Sequence, residues 1–131
     1  MVAIPESHLD ILKGKNFAHV ATLMRNGAPQ VTPIWVDFDG TYVVLNTAEG
    51  RQKVRNLDRD GRIAISVHDQ ENPYRYIQIR GKVVGRSADP GEAHINGMAK
   101  KYMGLDKYPY SDPNSTRVIY KVEPLHVQVT G

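Results

Sequence analysis

Two dipeptides typical of tight hairpin turns, Asn26-Gly27 and Asp39-Gly40, lie between segments whose residues favour β-strands. Asn, Asp and Gly tolerate the positive φ angles that two-residue hairpin turns require, so each dipeptide predicts an antiparallel pair of strands. The flanking segments, residues 17–24, 29–38 and 42–47, then form an antiparallel meander. A chain that starts in this way is built around a sheet, and its helices have to pack against that sheet.

Three more segments have strand character, at residues 62–68, 74–86 and 116–129. The first of them alternates apolar and polar side chains, which is typical of a strand with one buried face. In the second, Gly81 and Gly85 predict bends of the kind that a barrel corner requires. The chain therefore has six predicted strands.

Short helices are predicted before Gly14, over residues 50–60 and from Asp89 to Gly104, where Asp89 and Glu92 have the spacing of a capping box. Few helices among long antiparallel strands favour a closed or nearly closed barrel over a sandwich. We expect a mainly β fold with short helices, in which residues 1–131 form one six-stranded antiparallel domain.

The composition excludes several kinds of chemistry. The chain has no cysteine, so disulfides, thiolate catalysis and cysteine metal sites are excluded. The five histidines lack the spacing that brings two imidazoles onto one metal from a single element, and no metal site is expected. No apolar segment approaches the ~18 residues of a membrane span, and the amino end lacks the pattern of a signal peptide, so we expect a cytoplasmic protein with no membrane partner. The net charge of +3 does not by itself indicate nucleic acid.

Residues 46–57 are a candidate anion site. The segment leaves a strand, passes Gly50 and starts a helix, whose first N–H groups carry partial positive charge. Arg51 and Lys53 add formal charge there, and Asn46 and Thr47 offer polar side chains at the strand end. On spacing alone, the favoured explanation of these cations is the solvated face of a basic helix, with nearby aspartates in balance.

Two motifs favour an anion site over a solvated helix face. The first is Pro29-Gln30-Val31-Thr32-Pro33-Ile34-Trp35 after the Asn-Gly turn, and the second is Arg51-Gln52-Lys53-Val54-Arg55-Asn56-Leu57, followed by Asp60-Gly61-Arg62. In this order, over almost the whole chain, they resemble the pyridoxamine 5'-phosphate oxidase-like split-barrel superfamily. More narrowly, the chain is similar to the branch that uses the deazaflavin coenzyme F420 in place of FMN.

The resemblance implies a homodimeric split β-barrel with each cofactor held at the subunit interface. Arg51 and Lys53 would hold the cofactor phosphate, with Asn46 and Thr47 beside them. Further contacts implied by the resemblance are those of Gln30, Thr32 and Pro33 with the ring system, and of Tyr74 and Tyr76 from the partner subunit. The two tyrosines are equally explained as cross-strand packing residues.

The expected activity is that of an oxidoreductase, in which reduced F420 gives a hydride to an electron-poor unsaturated small molecule. The alternative keeps the fold and uses FMN. A second alternative is a non-catalytic barrel that binds a cofactor or RNA, although a nucleic-acid partner is not favoured. The carboxyl end, residues 123–131, lacks the basic tail of authentic pyridoxamine phosphate oxidases. No catalytic residue is identified, since the cofactor supplies the difficult step. Trp35 is expected in the core, and residues 105–114 are expected to form part of the pocket wall.

Overall fold

The fold is a single antiparallel sheet with three helices and two 3-10 turns, seen in a computed structural model that describes residues 1–131. The strands are β1 (Ala18–Leu23), β2 (Pro29–Ile34), β3 (Asp37–Phe38), β4 (Val43–Ala48), β5 (Arg62–His68), β6 (Tyr76–Ala88) and β7 (Arg117–Thr130). The helices are α1 (Leu9–Lys13), α2 (Gln52–Arg59) and α3 (Ala93–Met103), with 3-10 turns at Glu6–His8 and Pro90–Glu92.

The sheet has seven strands in the order β2-β1-β5-β6-β7-β4-β3, so the prediction of six strands is wrong. The predicted second strand is interrupted at Trp35 and Val36, and its halves become the two opposite edges of the sheet. Because only two residues join these edges, the sheet has to curl round on itself. It stays open, since β2 and β3 do not pair with each other.

The interruption has a physical cause in α3. The N–H of Val36 donates to the hydroxyl of Tyr102 at 3.0 Å, and its carbonyl accepts from Nζ of Lys101 at 2.7 Å. Side chains of a helix thus satisfy backbone groups that a strand partner would otherwise satisfy. Both predicted hairpins are confirmed, because β1 pairs with β2 and β3 with β4.

The predicted bends lie on β6, whose register with β7 shifts between Arg80 and Gly81 and again between Val83 and Gly85. A Cβ on Gly81 would lie 2.3 Å from the carbonyl oxygen of Glu123, so only glycine allows this close approach. The bulges let one long pair of strands bend around the core.

The core lies inside the curled sheet and contains 17 buried apolar residues from the strands, α1, α2 and the break at Val36. In α2, Val54 and Leu57 are the apolar stripe that the sequence predicts. Asn56 on the same helix is fully buried, and its Nδ2 donates to Oγ1 of Thr22 on β1 at 3.0 Å. The helix is therefore anchored by both packing and a buried hydrogen bond, which fixes where its amino end points.

Helix α3 starts later than predicted. Asp89 does cap it, because its carboxylate accepts from the N–H groups of His94 at 2.8 Å and Ile95 at 2.9 Å. The capping box is wrong, since Glu92 adopts a left-handed φ of 57° and accepts from Ser111 instead. With 11 residues α3 is the longest helix, and no helix is long and apolar enough to cross a membrane.

Candidate anion-binding site

A cavity of 230 Å³ opens where the end of β4, the start of α2 and the loop before β7 come together. One part of its wall is polar and basic, and the other part is aromatic and apolar. The lining residues are Phe17, Pro33, Ile34, Trp35, Asn46, Thr47, Arg51, Ile95, Tyr108, Tyr110 and Arg117.

Three cations come close to one another at this cavity, and the carboxylates of Asp89 and Glu92 act on one of them, Arg117, without forming an ion pair with it. Arg51 and Arg117 line it, whereas Lys53 is not among the lining residues and is only 6% exposed. None of the three makes an ion pair. Burial, and then the charges of Arg51 and Arg117, hold the pKa of Lys53 below its ordinary value. Such a group of unbalanced cations fits an anion.

Uncharged donors point to the same kind of ligand. The hydroxyl of Thr47 is buried and has no hydrogen-bond partner in the protein. The N–H groups of Gln52 and Lys53, the first two of α2, have no backbone acceptor, and no side chain caps this helix. Gly50 makes the turn into α2 with a φ of +86°. Free amides at a helix start, next to cations, match the oxygens of a phosphate group.

Asn46 lines the cavity, but its side-chain amide is occupied within the protein. Nδ2 donates to Asp89 at 3.0 Å and lies 2.9 Å from Nδ1 of His94, while Oδ1 accepts from Nε of Arg117 at 2.9 Å. The amide is therefore not free to donate to a ligand. It holds one of the three cations instead.

Of the residues predicted to contact a ring system, only Pro33 lines the cavity. Gln30 and Thr32 lie on β2 and are half-buried, and the hydroxyl of Thr32 is buried without a partner. Tyr74 is 85% exposed and Tyr76 is half-buried at the start of β6. Neither tyrosine lines the cavity of its own chain, and their predicted role is one in the partner subunit.

The aromatic wall was only partly foreseen. Trp35 lines the cavity and stacks on Tyr102, with ring centroids 5.0 Å apart and planes 5° apart. It therefore packs against α3 and also forms part of the cavity wall. Tyr108 and Tyr110 come from the loop that was expected to contribute, and the guanidinium of Arg117 lies 5.2 Å from the Tyr108 ring centroid. Arg117 itself was missed. Its place depends on the pairing of residue 117 with Ala48, which no local pattern reveals.

The fold and the cavity define a small curled-sheet protein with a candidate anion site beside an aromatic wall. Comparison with a family model, described as pyridoxamine 5'-phosphate oxidase, gives a match over residues 4–131. The chain belongs to this family and has its oxidoreductase fold, as the sequence motifs indicate.

Solved structures agree with the assignment. A protein named F420 reductase is 32% identical, with a TM-score of 0.84 over 95% of this chain and 98% of the other. A conserved hypothetical protein from Mycobacterium tuberculosis is 22% identical, with a TM-score of 0.75 over 98% and 86% of the two chains. General stress protein 26 from Bacillus anthracis is 16% identical, with a TM-score of 0.70 over 95% and 92%. The last two similarities concern the fold alone.

Proposed function

We propose that this protein is an F420-dependent reductase that acts on an electron-poor unsaturated small molecule. Its similarity to a protein named F420 reductase extends over nearly the full length of both chains. When bound, reduced F420 supplies a hydride, and the substrate double bond takes up that hydride and a proton. The protein's own work is to bind, orient and exclude water.

The observation that carries the proposal is the uncompensated charge of Lys53. A buried ammonium without a carboxylate destabilises the free protein, and a phosphate next to it would remove that penalty. In this proposal Lys53 and Arg51 together neutralise the phosphate. Thr47 and the free N–H groups of α2 donate to its oxygens.

The aromatic part of the cavity wall is suited to a flat ring. Pro33, Ile34 and Trp35 follow one another along this wall, and Tyr108 extends it, since its ring packs edge-on against Trp35 with centroids 5.9 Å apart. Apolar and aromatic surfaces hold a planar ring and keep water away from it. We assign Gln30 and Thr32 to polar contacts at the rim of that ring, in line with the motif they belong to.

The homodimer is part of the proposal. On the outer face of the sheet, Ala21 on β1 and Ala64 on β5 lie side by side in register. They line a mainly apolar groove of 380 Å³, together with the exposed Leu125. We propose that a second copy occupies this groove, and that the partner's Tyr74 and Tyr76 contact the cofactor, as the family resemblance implies. In sedimentation at micromolar concentration we expect a dimer, and a monomer for Ala64→Arg. A monomeric wild-type protein would contradict the shared site.

The coenzyme is tested by titrating the protein with F420 and, separately, with FMN, while following the fluorescence of each. We expect tight quenching of F420 and weaker quenching of FMN. Lys53→Ala should weaken F420 binding by about 1.5–3 kcal/mol, the range for a lost charged hydrogen bond. Lys13→Ala, which removes an exposed lysine on α1, is the matched control. A preference for FMN would identify FMN as the coenzyme in place of F420, and binding of neither would refute the enzymatic function.

A further inference from the structure

The hydrogen bonds around Asn46 show which atoms of this polar cluster donate and which accept. Asp89 is 8% exposed, and its carboxylate already accepts from two backbone N–H groups of α3. An ionised carboxylate only accepts hydrogen bonds, so the NH₂ end of Asn46 has to face Asp89. The amide oxygen of Asn46 then faces Arg117, whose guanidinium only donates.

His94 is fixed by the same reasoning. Its Nδ1 lies 2.9 Å from the NH₂ of Asn46 and so accepts the second amide hydrogen. Its Nε2 therefore carries the proton, which it donates to the carboxylate of Asp37 at 3.0 Å. The hydrogen bond from His94 holds the pKa of Asp37 below its usual value, which keeps this carboxylate an acceptor.

The chain of hydrogen bonds ends in the cavity. Arg117 uses Nε to bond Asn46, and its two terminal NH₂ groups make no hydrogen bond or ion pair with the protein. The guanidinium also lies over the ring of Tyr108. Its Nε edge is thus clamped, and its outer edge is left for a ligand.

We infer that Asn46 is a positioning residue: with Asp37, His94 and Asp89 it holds the guanidinium of Arg117 in the orientation that binds an anionic group of the cofactor. The inference rests on the proposed function. It makes Arg117 the direct contact and Asn46 the residue that acts through it. The cluster joins β3, β4, β7 and the start of α3, so it also sets how α3 and the Tyr108 loop stand relative to the anion site.

The test is a double-mutant cycle on F420 affinity, measured by fluorescence titration. Arg117→Met removes the contact, and we expect a loss of about ten- to a hundredfold. Asn46→Leu keeps the branched shape and the number of side-chain heavy atoms but removes the hydrogen bond that orients Arg117, with an expected loss of about tenfold. If Asn46 acts through Arg117, the double variant binds F420 no more weakly than Arg117→Met alone.

The outcomes separate the two proposals. If Arg117→Met leaves F420 affinity unchanged, Arg117 is not a cofactor contact and the further inference is refuted, whereas the proposed function is tested separately by Lys53→Ala. If Arg117→Met weakens binding but the effects of the two changes add, only the positioning role is refuted. Should Asn46→Leu fail to fold, as judged by thermal unfolding, Asn46→Ser takes its place in the cycle. A second readout is the salt dependence of F420 affinity, which should fall most in Arg117→Met, because this variant loses the charge, fall less in Asn46→Leu, which keeps the charge but not its orientation, and stay unchanged in Lys13→Met.

Discussion

Replacing Lys53 by Met should stabilise the free protein and weaken cofactor binding at the same time. Methionine keeps the length of the side chain and has nearly the same helix propensity as lysine, so the change isolates the charge. Lys53 is 6% exposed, and the charges nearest to it that lower its pKa, those of Arg51 and Arg117, are also positive. Solvent therefore screens the repulsion poorly.

The expected gain in the free energy of unfolding is about 1 kcal/mol, within the range of single stabilising substitutions. For a domain of this length that corresponds to a rise of about 4 °C in Tm. Saturating ligand reverses which of the two proteins, wild type or Lys53→Met, is the more stable. At a ligand concentration of about 100 Kd the wild type gains about 2.7 kcal/mol, whereas a variant that binds about thirtyfold more weakly gains about 0.9 kcal/mol. The wild type then becomes the more stable protein by about 0.8 kcal/mol.

Differential scanning fluorimetry with and without F420 measures both effects, and Lys13→Met is the matched control. The pH dependence of the stability difference tests whether the charge of Lys53 is its cause. Because the pKa of Lys53 is lowered in the folded protein, the unfolded chain binds this proton more tightly. The penalty in the wild type is fully present below the folded pKa and disappears as the pH rises towards 10.5. The advantage of Lys53→Met should shrink over the same interval. A variant that is less stable than the wild type without ligand, or that binds F420 equally well, would refute the reasoning.

Three further predictions concern the scaffold. Tyr102→Phe removes the hydroxyl that joins the loop before β1 to the break between β2 and β3, and should lower the free energy of unfolding in urea by about 2 kcal/mol. Gly81→Ala places a Cβ 2.3 Å from a backbone oxygen and should lower the free energy of unfolding by more than about 3 kcal/mol. Gly97→Ala, whose Cβ would meet nothing within 4 Å, should instead raise it by about 0.5–1 kcal/mol. Equal changes in the free energy of unfolding for the two variants would contradict the steric argument. Burial raises the pKa of Tyr120 from 10.0 to about 12, so the folded state keeps this proton longer, and wild-type stability should fall more steeply than that of Tyr120→Phe between pH 10 and 12.

The features that sequence reasoning predicted correctly are those whose causes are local. The Asn26-Gly27 turn and the 50–60 helix each carry their signal within a few residues. The Lys53 motif is a mixed case: its glycine and basic residues predict an anion site, and the structure adds that Asn56 anchors the helix rather than binding a ligand. Patterns of this kind are readable because the residues that cause them are neighbours in the chain.

The features that sequence reasoning missed depend on contacts between distant residues. The strand break at Val36 exists because Lys101 and Tyr102 bond its backbone from α3, 65 and 66 residues away. Arg117 reaches the cavity because its strand pairs with β4 in one particular register. Neither contact has a periodicity or a composition signal, so neither follows from the chain alone.

These distant contacts also explain why the site tolerates so much positive charge. Arg117 is clamped by Asn46, and Asn46 is clamped by Asp89 and His94, so the guanidinium cannot swing away from Lys53 to relieve the repulsion. The pKa of Arg117 is itself lowered, first by burial and also by Arg51. A flexible cluster would relieve the repulsion by moving apart in the free protein, so less repulsion would remain for an anion to relieve on binding. A rigid one keeps the repulsion until an anion arrives, and the relief of that repulsion then contributes to affinity.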